Sequence, residues 1–281
     1  MLKKIFNADD FGISEGVNQA IVTAHTKGAL NSTSLMVTMA RTEEAVKLSK
    51  QMPNLSIGLH ANLTNEQAVL PHKDIPLLID ENGRFKNGFV ALALLSVLHP
   101  KELKRQAKAE IKAQIDKAVG LGISLSHLDS HRHIHMIPSI FKACLELKAQ
   151  YAIPRLRFIN ENPLRTIQTT PTKEWLSDGG LIKSLVLSAC AVADKLLFGF
   201  RANTYFYSIV NTCKISRDKL KDITVPKSYL AVEVMLHPGM PEVDRVHPEE
   251  IFDDNILSPW RTKELETLLD KTIEQEFKQP L

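Results

Sequence analysis

Short apolar segments rich in β-branched residues alternate along the chain with segments in which apolar residues recur every three or four positions. The first pattern is typical of buried strands and the second of amphipathic helices. In the first part of the chain, the patterns predict strands over residues 2–7, 32–39 and 55–64 and helices from about Ser14 and over residues 43–52. Strand and helix therefore alternate.

The same alternation continues beyond residue 100. It predicts helices over residues 101–121, 140–150 and 181–200 and from about Thr262, and strands entering at Gly122 and over residues 154–158, 204–210 and 230–236. Residues 65–100 interrupt it, since they are irregular, rich in proline and asparagine, and predict only a short helix over residues 88–98. A long excursion of this kind is commonly a lid or a binding loop, which is what we expect here.

Alternating strands and helices without an internal repeat predict an α/β fold with a mostly parallel sheet. About seven strand–helix units favour a (β/α) barrel-like fold, incomplete or distorted, over an open doubly wound sheet. The length of 281 residues suits one such barrel. We therefore expect residues 1–281 to form a single domain, with residues 65–100 as an irregular insertion after the third strand.

One stretch has the highest density of side chains that can bind metal. Alternate positions there are occupied by His127, Asp129, His131, His133 and His135. Alternate side chains of an extended strand share a face, so the spacing predicts a wall of imidazole and carboxylate groups. Pro138 suits the first turn of the next helix, so the chain should leave the strand near His133. Such a cluster is typical of a metal or catalytic site. The alternative is a solvated histidine-rich loop.

Polar residues also stand at the carboxyl ends of several predicted strands. They are Asp9, Asp10, His60, Asp129, His131, Arg157 and His237. In a (β/α) barrel those strand ends converge on one face, where the active sites of such barrels lie. Each residue alone has an ordinary structural interpretation, such as helix capping for an aspartate. Their joint position at strand ends favours an active site.

Composition excludes several other classes of protein. An apolar content of 44% and a charged content of 24% are typical of an ordinary globular chain. A net charge of +3 without a lysine or arginine run gives no sign of nucleic-acid binding. Cys144, Cys190 and Cys213 are scattered, as expected of reduced thiols. The first residues lack the apolar core of a secretory signal, and residues 181–200 contain charged side chains. We therefore expect a cytoplasmic protein without a transmembrane segment.

The aspartate and histidine residues suggest a particular chemistry. Two imidazoles and a carboxylate supply three ligands and leave a position for water or substrate, as in catalytic metal sites. A metal ion lowers the pKa of bound water to about 7 and polarises a carbonyl oxygen. A second carboxylate can remove the water's proton, and a histidine can protonate a leaving amine. Asp9 and Asp10 offer a base and a ligand if the backbone turns at Phe11 and Gly12, because adjacent strand residues point to opposite faces.

Four ordered blocks of sequence carry a resemblance to a known family. They are Asn7-Ala-Asp-Asp-Phe-Gly12, Gly58-Leu-His-Ala-Asn-Leu-Thr64, His127-Leu-Asp-Ser-His131-Arg-His-Ile-His135 and Leu236-His-Pro-Gly239. From Lys3 to about Met240 the chain resembles the YdjC-like carbohydrate deacetylases, which include a chitooligosaccharide deacetylase and a hopanoid-biosynthesis deacetylase. The resemblance implies metal-dependent hydrolysis of an N-acetyl group on an amino sugar, a chitooligosaccharide or a glycolipid, on a barrel-like α/β fold.

The resemblance also implies roles for individual residues. It assigns one divalent ion to Asp10, His60 and His131, the general base to Asp9, the leaving-group acid to His237, and the orientation of the base carboxylate to Arg157. The family is commonly associated with magnesium, whereas nitrogen ligands favour zinc or another transition ion, so Mg²⁺ and Zn²⁺ both stay open.

The sequence departs from the family pattern in two places. Arg132 stands where many members have another histidine, and residues 201–213 lack the expected glycine-rich loop, which leaves the substrate open. Two other functions are consistent with the same residues. A metal-dependent phosphoesterase would need more bridging carboxylates and phosphate-binding basic residues, and a catalytically silent sugar-binding protein would have lost the base or a ligand.

The apolar helix predicted over residues 181–200 needs a partner. Its polar residues Ser184, Ser188 and Lys195 share one narrow stripe, and most of the remaining surface is apolar. The partner could be the barrel, a second subunit in a homodimer, or a lipid-linked sugar met through peripheral contact with a membrane.

Overall fold

The computed structural model describes residues 2–169, 180–221, 223 and 225–277. Within these residues seven parallel strands form one sheet in the order β5-β4-β3-β2-β1-β7-β6. The strands are β1 (Lys3–Phe11), β2 (Ser32–Leu35), β3 (Ser56–Ala61), β4 (His127–Ser130), β5 (Arg155–Leu156), β6 (Thr204–Tyr207) and β7 (Ala231–Leu236). The sheet curls into half a barrel, which confirms the predicted incomplete barrel of about seven parallel strands.

Helices alternate with these strands, as the apolar pattern predicts. In the described ranges they are α1 (Glu15–Lys27), α2 (Thr42–Ser49), α3 (Phe89–Leu98), α4 (Pro100–Gly120), α5 (Pro138–Gln150), α6 (Pro163–Thr169), α7 (Gly180–Phe198), α8 (Arg217–Lys221), α9 (Pro241–Asp244), α10 (Pro259–Leu269) and α11 (Lys271–Phe277). Short 3-10 turns occupy His131–Met136, Pro248–Glu250 and Asp254–Leu257. No helix in the described part of the chain has the length and hydropathy needed to cross a membrane.

The first helix forms where its sequence predicts it. Ser14 is the N-cap, and its hydroxyl oxygen accepts a hydrogen bond of 3.3 Å from the Val17 amide. Val17, Ile21 and Ala24 lie at helical spacing and are completely buried. Burying each large apolar side chain contributes about 1.5–3 kcal/mol, which fixes this helix against the sheet.

The predicted strands differ from the observed ones in their ends. The first strand runs on to Phe11, so Asp9 and Asp10 lie inside it, and the second strand ends at Leu35. The histidine-rich strand ends two residues earlier than predicted, because β4 ends at Ser130 and a 3-10 turn begins at His131 instead of near His133. Arg132 and His133 have φ values of 54° and 58°, which fold this segment back and remove the alternation of an extended strand.

The sheet is open between β5 and β6 in the described part of the chain, and one side chain bridges the gap. The Asn160 Nδ2 atom donates to the Thr204 carbonyl at 3.0 Å, and the Phe206 amide donates to Asn160 Oδ1 at 2.8 Å. The amide of Asn160 thus makes the two hydrogen bonds that a neighbouring backbone would make. It holds β6 close to the segment that follows β5 without closing the barrel.

The segment between β3 and α3 is anchored along α4. The buried carboxylate of Glu110 accepts hydrogen bonds of 2.9 Å from the Val69 and Leu70 amides, and Gln106 accepts one of 2.8 Å from the Leu77 amide. Burial raises the pKa of Glu110, whereas Gln114 and the two amides lower it. Side chains of α4 therefore supply the partners that a strand would have supplied. The single-domain and lid interpretations stay predictions.

Candidate metal centre and active site

Asp9 and Asp10 reach the same site because the backbone of β1 changes direction at Asp10. Asp10 has a φ of 71°, and the pairing of β1 with β2 shifts between Ala8 and Phe11. Aspartate is one of the few residues other than glycine that visits this region. The turn therefore begins one residue earlier than the sequence predicts, at Asp10, although Gly12 also has a positive φ of 96°.

Asp10, His60 and His131 lie together, as predicted. His60 Nε2 is 3.6 Å from Asp10 Oδ1, and His131 Nδ1 is 3.1 Å from the same oxygen. One ligand atom from each residue can be chosen so that all three lie within 4.8 Å of one another. His131 Nε2 is buried and has no hydrogen-bond partner. A buried carboxylate and two imidazoles with free nitrogen atoms form a donor set that fits a divalent metal ion.

Asp129 fixes the orientation of His60. Its Oδ1 atom lies 2.8 Å from His60 Nδ1, which directs His60 Nε2 towards Asp9 and Asp10. Metal-binding histidines are commonly held in this way by a carboxylate on the second nitrogen. Burial alone would lower the pKa of His60, but the charges of Asp129, Asp9 and Asp10 raise it overall. The β3–β4 register places His60 directly opposite Asp129.

Arg157 binds Asp9 with two hydrogen bonds. Its Nη1 and Nη2 atoms each lie 2.7 Å from an oxygen of Asp9, and Nη2 is also 2.7 Å from Asp129 Oδ2. The Nε atom donates to Glu233 Oε1 at 2.8 Å. Burial acts to lower the pKa of Arg157, but Asp129, Asp9 and Glu233 raise it well above its ordinary value. A single buried guanidinium thus orients three carboxylates.

Burial also acts on the two aspartates beside this network. It would raise the pKa of Asp10, but His131, Arg261 and His237 hold it well below its ordinary value. Burial would likewise raise the pKa of Asp129, but Arg157 and His60 hold that pKa well below its ordinary value. Both groups are therefore carboxylates at neutral pH.

His237 follows β7 and is held through its backbone. Its amide donates to Glu264 Oε2 at 2.6 Å, and the same carboxyl group accepts the Ile215 amide at 2.9 Å. The Nδ1 atom of His237 lies 4.0 Å from Glu264 Oε2 and 3.8 Å from Cys213 Sγ. Burial lowers the pKa of His237 to about 4, against the opposing effect of Asp10 and Asp9. Burial raises the pKa of Glu264 to about 7. His237 is therefore neutral at pH 7.

Three histidines of the predicted wall have other surroundings. His127 Nε2 lies 3.0 Å from the Ser34 hydroxyl, and burial lowers its pKa well below the ordinary value. His135 Nδ1 lies 2.6 Å from the Ser130 hydroxyl. The rings of His133 and His135 pack edge to face at 6.5 Å. His135 thus ties the turn that follows β4 back to Ser130, whereas His127 is held inside the sheet by Ser34.

Arg261, Glu233 and Glu264, which hold other residues of the site, are absent from the sequence prediction. Arg261 of α10 donates from Nη2 to Asp10 Oδ2 at 2.8 Å, and no motif spacing connects these two positions. Glu233, which binds Arg157, is the one charged residue in the apolar strand β7. A lone buried charge in a strand is a sequence signal that identifies such a residue, because burial requires a partner.

Comparison with known proteins gives a consistent family assignment. A family model described as "YdjC-like protein" matches residues 3–279. A carbohydrate deacetylase of Brevibacillus brevis is 42% identical over 153 residues, covering 54% of this chain and 58% of that protein. A carbohydrate deacetylase of Clostridium beijerinckii is 27% identical over 279 residues, covering 98% of this chain and 94% of that protein.

Two further matches agree with this family assignment. A carbohydrate deacetylase of Vibrio cholerae is 40% identical over 154 residues, which again cover 54% of this chain and 58% of that protein. The matched region thus spans little more than half the length of the curated relatives with the higher identities. A crystal structure from Enterococcus faecalis, named as a candidate cellobiose-phosphate cleavage protein, superposes with a TM-score of 0.67 at 25% identity, covering 99% of this chain and 96% of that chain.

Proposed function

The chain belongs to the YdjC-like family, and on that premise we propose that it is a metal-dependent hydrolase that removes an N-acetyl group from an amino sugar, a chitooligosaccharide or a glycolipid. The observation that carries the proposal is the buried group of Asp10, His60 and His131, with Asp9 held beside it by Arg157. The names of the relatives as carbohydrate deacetylases support the choice of reaction.

Asp10, His60 and His131 are the proposed metal ligands. A divalent ion held by them supplies Lewis-acid chemistry to an amide carbonyl and lowers the pKa of water to about 7. Asp129 keeps the proton of His60 on Nδ1, so that Nε2 is available as a ligand. Arg261 holds Oδ2 of Asp10, so Oδ1, the oxygen beside His60 and His131, is the one that would be left to bind an ion. Mg²⁺ and Zn²⁺ are the two ions we propose.

Asp9 is the proposed general base. It removes a proton from the attacking water while the water oxygen forms a bond to the acetyl carbon. Arg157 holds both carboxylate oxygens of Asp9 and takes part in no proton transfer, because its pKa is raised well above its ordinary value. The carboxylate is thus oriented before substrate binds, which removes the entropy cost of ordering it during the reaction.

His237 is the proposed acid for the leaving amine. With a pKa of about 4, His237 is neutral at pH 7, so we assign it the role of a proton relay. It passes to the amine the proton that Asp9 removes from water. The C–N bond breaks, its electron pair remains on nitrogen and takes that proton, and the hydroxyl from water stays on the acetyl carbon. The products are a free amine and acetic acid, so atoms and protons balance.

A phosphoesterase with two metal ions has less support. A second group of possible ligands, Asp9, His60 and Asp129, also has atoms within 4.8 Å of one another. Arg157, however, already binds both of its carboxylates, and a guanidinium in that position repels a second cation. A silent sugar-binding protein is disfavoured because the base and all three proposed ligands are present.

Acetate release from N-acetylated amino sugars, chitooligosaccharides and glycolipids tests the proposal. We expect release from at least one class, its loss after chelation, and its recovery on adding Mg²⁺ or Zn²⁺. His131→Ala should lose bound metal and activity, whereas His99→Ala, at an exposed histidine, should keep both. Full metal stoichiometry and activity in His131→Ala would refute the ligand assignment.

A further inference from the structure

Helix α7 has an unusually apolar outer side for a surface helix. Its buried residues are Gly180, Ser184, Leu187, Ala191 and Asp194, of which only Leu187 is a large apolar side chain. Ser184 and Asp194 are 2% and 0% exposed. The outer side of α7 consists mostly of large apolar side chains, and the most exposed are Ile182, Leu185, Val186, Val192, Leu196 and Leu197. In water a helix normally buries its apolar face against the protein. Among the partners predicted from the sequence, the barrel therefore covers only one side of this helix, and the large apolar side chains lie on the other.

Helix α3 presents a second apolar surface. Its sequence from Phe89 to Leu98 contains no charged residue, and Leu92 is its buried side chain. Val90, Leu94, Val97 and Leu98 are exposed, Val90 by 81% and Val97 by 76%. Scattered exposed apolar residues are common, but contiguous ones typically mark an interaction site.

The two helices form one surface. Both contact α5, and both contact the turn His131–Met136 of the candidate active site. A surface groove between them is lined by Ser96 and Pro100 on one side and by Leu197 and Phe198 on the other. We call the exposed apolar side chains of α3 and α7 the two-helix surface. It adjoins the turn that carries His131.

Basic side chains surround the two-helix surface. Lys101, Lys104 and Lys142 line the groove between the helices, and Lys142 Nζ lies 5.7 Å from the ring of Phe198. Lys183 and Lys195 are on α7 itself, and both are exposed.

Acidic side chains near the groove are already paired. Glu102 binds Arg105, and Glu146 binds Lys104 and Lys108 and lies 4.0 Å from Lys142 Nζ. Because these two carboxylates face four lysines and one arginine near the groove, and Lys183 and Lys195 add to the basic groups, the net charge of the rim is positive around an apolar centre.

We propose that the two-helix surface docks on a membrane that contains anionic lipids. Apolar side chains that enter the interface, surrounded by lysines that meet phosphate and carboxylate headgroups, are the combination that binds such a surface. A second copy of this chain is a poorer partner, since an isologous contact would place the same basic rim against itself. Combined with the proposed function, on which this consequence rests, docking would favour an acetylated sugar carried by a lipid.

Co-sedimentation of the full chain with vesicles tests the docking directly. We expect binding to phosphatidylcholine vesicles that contain about 30% phosphatidylserine, weak binding to phosphatidylcholine alone, and release in high salt. The paired substitution Val97→Gln and Leu196→Gln should reduce the partition coefficient by about tenfold or more. Each of Lys142→Ala and Lys195→Ala should reduce it by about fivefold. Val246→Gln, at a side chain that is 71% exposed elsewhere, is the matched control and should bind as the unmodified chain does.

Two outcomes would overturn the proposal. Protein that stays in the supernatant with both vesicle types refutes membrane docking. A concentration-dependent dimer that Val97→Gln and Leu196→Gln dissociate identifies a second copy as the occupant. Acetate release from a soluble N-acetylated chitooligosaccharide, measured on the same samples, separates this proposal from the proposed function. Activity without vesicle binding rejects the docking alone, and vesicle binding without release from any N-acetylated substrate rejects the function alone.

Discussion

Arg261 Nη2 donates a hydrogen bond of 2.8 Å to Asp10 Oδ2 across a separation of 251 residues. Gly239 permits this contact, because a Cβ atom at that position would lie 2.9 Å from Cδ of Arg261. The glycine of the block Leu236-His-Pro-Gly239 thus leaves room for an arginine that orients a proposed metal ligand. Helix α10, which follows β7 in the chain, is in this way part of the candidate site.

Arg261→Gln should reduce metal affinity or kcat/KM by about ten- to hundredfold, because second-sphere contacts orient the ligands of metal sites. Isothermal titration with the metal and initial rates of acetate release measure the two quantities. Lys263→Gln, an exposed substitution on the same helix, is the control. Unchanged metal affinity and unchanged kcat/KM in a folded Arg261→Gln protein would show that the contact only supports the fold.

Asp9 and Asp10 should respond differently to the same substitution. Asp9→Asn should keep the metal and lose turnover by roughly a hundredfold or more, which is the scale of general acid–base catalysis. Asp10→Asn should lose the metal, because an amide is a much weaker ligand than a carboxylate. Metal content and kcat of the two variants decide the assignment. Loss of metal from Asp9→Asn with retention in Asp10→Asn would mean that the two roles are exchanged.

Much of the site follows from sequence because parallel strands bring their carboxyl ends to one edge. That rule is enough to bring Asp10, His60 and His131 together from three separate strand ends. It fails at Arg261, because α10 comes after β7, the last strand of the described residues, and no strand order fixes its position. The predicted alternation also fails from His131 onwards, where the strand has already ended, and left-handed φ values of 54° and 58° at Arg132 and His133 remove the alternation of an extended strand.

Helix α7 shows a different limit of prediction from sequence, because the side that it exposes could not be predicted. Reading an apolar helix from sequence assumes that its apolar side chains are buried, whereas here Leu196 is 81% exposed and Asp194 is buried. Periodicity determines which residues share a face, but it does not determine which face meets the protein. That depends on the shape of the neighbouring surface, here α5 and the turn His131–Met136.

The pH dependence of the reaction tests the relay. Because burial lowers the pKa of His237 to about 4, the imidazole is neutral from about pH 5 upwards. We expect kcat/KM at saturating metal to show no decline that depends on His237 between about pH 5 and about pH 8. The comparison is the profile of His237→Asn, which should be lower throughout but parallel. A fall in the native profile near pH 7 that His237→Asn abolishes would mean that His237 enters as an imidazolium ion.

The stability of the protein should depend on the buried carboxyl of Asp194. Neither of its oxygens has a hydrogen-bond partner, and burial raises its pKa from 3.8 to about 8. In the unfolded chain the group ionises near its ordinary pKa, whereas in the folded protein it stays protonated until about pH 8. A group whose pKa is raised by folding stabilises the folded state fully only below its unfolded pKa, and this contribution is lost as the pH rises towards the folded pKa.

Asp194→Asn cannot ionise, so it removes this pH dependence while keeping a polar side chain of the same shape. We therefore expect the free energy of unfolding of the variant, relative to the native chain, to increase steadily between about pH 4 and about pH 8. Chemical denaturation across that range measures the difference. Asp218→Asn, at a side chain that is 91% exposed, is the control and should give a difference that does not vary with pH. A constant offset between Asp194→Asn and the native chain would mean that Asp194 ionises equally in both states, and that α7 does not bury a neutral carboxyl beneath its exposed apolar face.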